Sequence, residues 1–192
     1  MLARTHDLAA ITTLAVVATV VTVPQMTLST LLLALLANQI GGVAPDIDQP
    51  TAPFWRNLPV GHMFGKVVDK LLGGHRFLSH SLLGVALFGF LAKLLLAFLH
   101  PLMPKVDNSI VWWAFMIGML SHLAMDTITK EGVPWLLPIP IKFGVPPLKA
   151  LRITTGKAME TLVVLPLLLV TDIWLCHANY PAIITYLHHL QR

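Results

Sequence analysis

The stretch IVWWAFMIGMLSHLAMD, residues 110–126, is an apolar run that ends with two ionisable side chains. Its length and composition predict a membrane-embedded helix. His122 and Asp126 are four residues apart, so a helix places both side chains on one face, one turn from each other. Because ionisable groups at membrane depth are costly, this pair marks a candidate functional site.

The composition of the whole chain predicts a polytopic membrane protein. Its 192 residues are 56% hydrophobic and 11% charged, with a mean hydropathy of +0.75, whereas soluble domains carry about 25% charged residues. This length fits one domain over residues 1–192. The single cysteine, Cys176, excludes an intrachain disulfide and a cluster of thiolate ligands. The first apolar stretch has no small-residue cleavage pattern before Pro24, so we expect a retained helix there.

Five apolar segments predict an all-α, polytopic membrane helical bundle. The short connection at 24–26 predicts an antiparallel hairpin of the first two segments, while the connections 45–80 and 127–160 are long and rich in Gly, Pro and charge. With five spans, both long loops lie on one face of the membrane. The segments are Leu8–Val23, Thr27–Ala44, Ser81–Leu99, Ser109–Met125 and Thr161–His177.

The distribution of basic residues predicts which face is cytoplasmic. The face opposite the long loops carries only Lys105 and Arg192, and Lys93 lies inside the third segment. A strong Lys/Arg excess over short loops marks the cytoplasmic side, so we expect a multi-pass membrane protein with its long loops inside the cell. The net charge of +4 then requires no nucleic-acid partner. The basic residues of the long-loop face are Arg4, Arg56, Lys66, Lys70, Arg76, Lys130, Lys142, Lys149, Arg152 and Lys157.

The same face collects side chains that bind metal ions. Carboxylates crowded at one depth repel one another unless a cation lies among them. Imidazole and carboxylate donors without thiolates suit zinc, with manganese or iron as alternatives. Each residue also has an ordinary interpretation, such as a local hydrogen bond, a turn or a helix cap, but their joint occurrence at five helix ends favours a metal site. These residues are His6, Asp46, Asp48, His75, His80, His122, Asp126 and Glu160.

Four motifs together resemble the YdjM-type family of bacterial inner-membrane proteins, for which a metal-dependent hydrolase activity is expected. More distantly, the chain resembles the zinc-dependent phospholipase C and single-strand nuclease superfamily of all-helical phosphodiesterases. The resemblance implies that all eight residues named above are metal ligands. The family commonly has Gly after the Arg of its HR motif, where this chain has Phe77, so we expect a different loop shape. The motifs are APDIDQ (44–49), GGHRFLSHS (73–81), SHLAMDTITKEGVPWLLP (121–138) and TGKAME (155–160).

The resemblance implies hydrolysis of a phosphoester, with two or more divalent ions activating water. Asp48 and Glu160 are the candidates for bridging ligand or general base. Arg76 and Lys157 could grip a phosphate, although the positive-inside pattern also explains both. The apolar, Pro-rich stretch 132–148 suggests an interfacial lid, and hence a membrane lipid or lipid-linked substrate.

Two other classes of function stay open at this stage. An ion or solute transporter could use the buried His and Asp cluster, and would place polar residues through the depth of the membrane. A non-catalytic regulatory protein could hold a structural metal, and would need a coordinatively closed site. The number of ligand-type residues gathered at one depth favours the hydrolase.

Overall fold

The computed structural model describes residues 1–21, 26–74, 76–139 and 141–190. Across these residues the chain is helical without a β-strand, which confirms the all-α class. A 3₁₀ turn, Ala44–Asp48, extends the second helix, and a π-helical turn, Glu160–Val164, leads into the seventh. The helices are α1 Ala3–Val20, α2 Leu28–Val43, α3 Pro53–Arg56, α4 Gly61–Leu71, α5 Leu82–Leu99, α6 Asn108–Thr127, α7 Leu165–Ala178 and α8 Tyr180–Leu190.

Four of the five predicted segments form helices long and apolar enough to cross a membrane. Within the described ranges these are Leu28–Asp48, Leu82–Leu102, Asn108–Thr127 and Glu160–Ala178. Residues 8–20 of the first predicted segment lie within α1, which begins five residues earlier than predicted, at Ala3, and ends at Val20. Its first two turns therefore include Arg4, His6 and Asp7, and these polar residues lower its hydropathy. The described part of the chain thus confirms the membrane helical bundle, with four such helices where the sequence predicted five.

Glycine residues allow α2 and α6 to pack closely. A methyl group on Gly41 would collide with the carbonyl oxygen of Phe115, and one on Gly118 would collide with that of Asn38. The Asn38 amide also donates to the Ala114 carbonyl oxygen at 3.1 Å. Small residues and interhelical hydrogen bonds of this kind hold membrane helices together. This crossing brings the carboxyl end of α2 against the carboxyl end of α6.

The apolar core lies between α5, α6 and the loop that follows α6. Its buried members include Val85 of α5, Met119 and Leu123 of α6, and Val133 of the loop. Many apolar side chains on the outer surfaces of the long helices are exposed, as expected for a surface that faces lipid. They include Leu32, Leu36, Leu94, Leu95, Phe98, Leu167, Val170 and Ile173.

The long loop 127–160 folds against the end of α6. The backbones of Val133 and Phe143 exchange two hydrogen bonds of 2.8 Å. The Trp135 indole donates to the Thr127 hydroxyl at 2.9 Å, and the Arg152 guanidinium donates to the Pro146 carbonyl oxygen at 2.7 Å. Part of the predicted lid is thus held beside the carboxyl end of α6 by backbone and side-chain hydrogen bonds.

Candidate metal centre

Four elements place five ligand-type side chains together at one end of the bundle. His6 lies in the first turns of α1, and Asp46 in the 3₁₀ turn after α2. His80 precedes α5, while His122 and Asp126 occupy the last two turns of α6. Two groups of donor atoms result, each with all its atoms within 4.8 Å of one another: His6, His122 and Asp126 form one, and Asp46, His80 and His122 the other. His122 belongs to both groups.

The separations between donor atoms match those around a bound metal ion. Asp46 Oδ1 lies 3.7 Å from His80 Nε2 and 3.6 Å from His122 Nε2. Asp126 Oδ2 lies 3.6 Å and 3.8 Å from the same two nitrogens. Tetrahedral bonds of about 2.0–2.2 Å separate neighbouring ligand atoms by about 3.3–3.6 Å. Small side-chain shifts would therefore suffice for coordination.

Hydrogen bonds to the Nδ1 atoms orient two of the imidazoles. His122 Nδ1 lies 2.6 Å from the carbonyl oxygen of Gly42, which only accepts, so Nδ1 carries the proton. The Ser79 hydroxyl donates its proton to Asp48 Oδ2, so its oxygen accepts from His80 Nδ1 at 2.9 Å. With its proton on Nδ1, each ring offers Nε2 as the donor nitrogen for a metal, and both Nε2 atoms face the same carboxylates.

His122 and His6 stack on each other in the buried interior of the centre. Their rings stack with centroids 3.7 Å apart and an angle of 7° between the planes. His122 Nε2 is buried and has no hydrogen-bond partner among the described residues. His6 Nε2 lies 3.3 Å from Asp126 Oδ1. A buried basic nitrogen without a partner is costly, and a cation would satisfy it.

Arg76 brings a permanent positive charge into the centre. Its backbone adopts the left-handed conformation with φ of 60°, and its backbone N–H donates to Asp48 Oδ2 at 3.0 Å. The guanidinium Nη2 lies 2.7 Å from Asp126 Oδ2, and Nη1 donates to the Thr129 hydroxyl at 3.4 Å. Asp126 Oδ1 also lies 2.7 Å from the Met1 nitrogen. The left-handed residue of the HR motif is thus Arg76 itself, while Phe77 has negative φ.

Two predicted ligands, Asp48 and Glu160, are not members of either group among the described residues. Asp48 accepts hydrogen bonds from the Ser79 hydroxyl and the Arg76 backbone N–H, and through Ser79 it helps to position the His80 ring. Glu160 accepts from the Leu2 N–H at 2.6 Å and from the Gly156 N–H at 2.7 Å, which ties the start of α1 to the π-helical turn. His75 lies outside the described residues.

The two serines beside His80 have different roles. Ser81 caps α5, since its hydroxyl accepts from the Gly84 N–H at 3.0 Å. Ser79 instead bridges Asp48 and His80. Its only sequence signal is its position directly before a candidate ligand. Lys157 and His62 are exposed.

The centre opens to its surroundings at Asp46. The Asp46 side chain is 21% exposed, whereas His6, His80, His122 and Asp126 are buried. A substrate or ion would therefore meet the 3₁₀ turn after α2 first.

Comparison with known proteins places the chain in a family. It matches the family described as YdjM inner membrane protein over residues 1–188. It is 30% identical over 139 residues to the inner membrane protein YdjM of Escherichia coli (strain K12), which covers 70% of this chain and 62% of that protein. It is 29% identical over 127 residues to the uncharacterized protein YvsG of Bacillus subtilis (strain 168), covering 66% of this chain and 68% of that protein.

The chain thus spans less than two thirds of the length of the E. coli relative. No solved structure matches it. The family match covers nearly the whole chain and includes helices α1 to α7 and all but the last two residues of α8. The described residues combine four long apolar helices with the motifs at their ends. The chain therefore belongs to the YdjM family of inner membrane proteins.

Proposed function

We propose that this protein is a metal-dependent hydrolase that cleaves a phosphoester of a lipid or lipid-linked substrate at the cytoplasmic side of the inner membrane. The observation that carries the proposal is the pair of donor groups that share His122. Both combine imidazole and carboxylate, and both lie at the same end of the helical bundle. This donor chemistry is typical of catalytic zinc sites and also suits manganese or iron.

The donor set fits a divalent ion. Asp46, His80 and His122 would hold one ion, because their donor atoms converge and His122 Nε2 is buried without a hydrogen-bond partner in the described part of the chain. His6 and Asp126, with His122, offer an alternative position and not a simultaneous one, because the single lone pair of His122 Nε2 binds one ion at a time, and an ion there would compete with the cations that contact Asp126. A divalent ion in either position would supply Lewis-acid chemistry, because it would polarise a phosphoryl oxygen and activate water.

Arg76 is suited to bind the phosphate of the substrate. Its guanidinium is buried beside Asp126, and its Nε has no hydrogen-bond partner among the described residues. Arginine presents several N–H groups in one plane and binds phosphate oxygens in pairs. We propose Asp48 as a positioning residue that acts on His80 through Ser79, and Glu160 as a positioning residue for the start of α1.

The surroundings of the centre favour a lipid substrate over a water-soluble one. The donor groups lie at the end of α6, a helix apolar enough to span the membrane. The neighbouring loop exposes apolar side chains at Ile139, Ile141, Phe143 and Val145, which would be unfavourable in water but stable at a membrane surface. The gathering of donors at one end also favours a hydrolase over an ion path, which needs polar groups at successive depths.

The test is hydrolysis by the detergent-purified protein after removal of metal by a chelator and reloading with zinc, manganese or iron. We expect phosphate or headgroup release from phospholipid or polyprenyl-phosphate mixed micelles, only with metal. Asp46→Asn should lower the rate by about 100-fold or more, as for loss of one electrostatic group in an active site. Asp69→Asn, a carboxylate change on the same face outside both groups, should keep the wild-type rate.

Two results would contradict the proposal. Equal rates for wild type and Asp46→Asn would show that the donor groups do not catalyse the reaction. Absence of hydrolysis of every lipid and soluble phosphoester by the metal-loaded protein would exclude the hydrolase. Hydrolysis of soluble phosphoesters alone would remove the lipid assignment and leave the hydrolase in place.

A further inference from the structure

Helix α4, Gly61–Leu71, has three faces of different character. One face packs against the protein through Gly61 and Gly65, which are buried. A methyl group on Gly61 would collide with the carbonyl oxygen of Trp55, and one on Gly65 would lie 3.0 Å from the Trp55 ring. The Trp55 indole in turn donates to the Ile47 carbonyl oxygen at 2.8 Å. These contacts attach α4 to the turn that carries Asp46.

The second face of α4 is apolar and exposed. It consists of Met63, Phe64, Val67 and Leu71, all more than half exposed. At about 100° per residue these four positions fall within an arc of about 100°. Such an arc of large apolar side chains is unfavourable in water, so something apolar covers it.

The third face of α4 is polar and basic. His62, Lys66 and Lys70 recur every four residues, so they form one stripe, and all three are exposed. The stripe lies next to the edge of the apolar arc that is farther from the face packed against the protein. A helix with large apolar residues on one side and lysines beside them is typical of segments that lie in a membrane interface.

The position of α4 agrees with a membrane surface. The helix packs against the 3₁₀ turn Ala44–Asp48, and this turn is the end of the candidate span Leu28–Asp48. A helix attached there lies at the level where the span leaves the hydrocarbon. The lysine stripe complements the negative charge of anionic headgroups. A second copy of the same basic face would not complement the stripe, because both faces are positively charged.

We propose that α4 lies in the bilayer interface, with Met63, Phe64, Val67 and Leu71 at the acyl boundary and Lys66 and Lys70 on anionic lipid headgroups. The occupant of the apolar face is thus the lipid of the surrounding membrane. The consequence is that α4 holds the Asp46 turn at the surface of the bilayer. This inference does not depend on hydrolase activity.

The test compares two exposed positions on different faces of α4. In a Cys176→Ser background, Val67→Cys and His62→Cys are each labelled with an environment-sensitive fluorophore, and the protein is placed in phosphatidylglycerol nanodiscs. At position 67 we expect blue-shifted emission that is quenched by lipids carrying a spin label on the acyl chain. At position 62 we expect water-like emission that is quenched by iodide.

The dependence on headgroup charge is tested in the same nanodiscs. Lys66→Glu combined with Lys70→Glu should reduce lipid quenching at position 67 in phosphatidylglycerol and leave it unchanged in phosphatidylcholine. Circular dichroism checks that the bundle is intact. Water-like emission at both labelled positions would overturn the proposal. Blue-shifted emission at position 67 without quenching by spin-labelled lipid would also overturn it, because a protein would then cover the face.

Discussion

Replacing His122 by Ala removes the one donor that both candidate metal groups share. The Asp46 group would keep only Asp46 and His80, and the other group only His6 and Asp126. Loss of a group that merely orients a metal-binding histidine costs about 10–100-fold in affinity. Loss of the ligand itself should therefore weaken zinc binding by at least about 100-fold, or about 2.8 kcal/mol at 1.4 kcal/mol per tenfold.

The assay is a zinc titration of the detergent-purified protein against a competing chelator. His122→Ala also removes the hydrogen bond to the Gly42 carbonyl oxygen and the stacking on His6. The metal-free protein should thus lose about 1–3 kcal/mol of stability as well. Affinity, measured where both proteins are folded, separates the two effects.

His62→Ala provides the matched control, since His62 is an exposed histidine on α4 outside both groups. It should bind zinc as tightly as wild type does. The reasoning is refuted if folded His122→Ala binds zinc with wild-type affinity, or if His62→Ala weakens binding to the same degree. Wild-type protein that takes up no divalent ion at all would refute it equally.

Two further predictions rest on named contacts, and a third rests on the distribution of basic residues. Ser79→Ala should weaken zinc binding by about 10–100-fold, because the His80 ring loses the bridge to Asp48. Ser81→Ala is the control: it should lower thermal stability by about 1 kcal/mol through loss of the α5 cap and leave zinc affinity unchanged. Asp126→Asn should destabilise the metal-free protein by about 3–5 kcal/mol in thermal unfolding, since the buried Arg76 charge then faces the exposed Glu131 carboxylate at 3.5 Å in place of the buried carboxylate of Asp126. Adding Arg76→Met should restore part of that loss, and strict additivity of the two changes would argue against the pair. Reporter fusions at Asp69 and Lys142 should give cytoplasmic signals and one at Lys105 a periplasmic signal, and a periplasmic signal at Asp69 would invert the topology.

Hydropathy alone located most of the bundle. The second to fifth apolar segments became the long helices, with bounds that shift by a few residues, because burial in hydrocarbon demands unbroken apolar runs whatever the neighbours are. The first segment was placed less well. Helix α1 extends to Ala3 through polar residues, and one of them, His6, contacts Asp126 and His122 at the end of the bundle, which a hydropathy pattern does not show.

Local spacing also predicted one wall of the candidate centre. His122 and Asp126 share a face of α6 because they are four residues apart, and no other part of the chain is needed for that conclusion. The collection of His and carboxylate residues at helix ends on one face also followed from the order of the segments. These features depend on helical periodicity and on the alternation of the spans.

The tertiary structure alone decided which of these side chains meet. Asp48 and Glu160 match the motifs as well as Asp46 does, yet Asp48 accepts hydrogen bonds from Arg76 and Ser79, and Glu160 accepts them from backbone N–H groups. The Gly42 carbonyl oxygen, 80 residues away in the sequence, determines which ring nitrogen of His122 faces the candidate centre. That contact exists because glycines let α2 and α6 approach closely. A local pattern specifies the face on which a side chain lies, but its partner depends on how the helices cross.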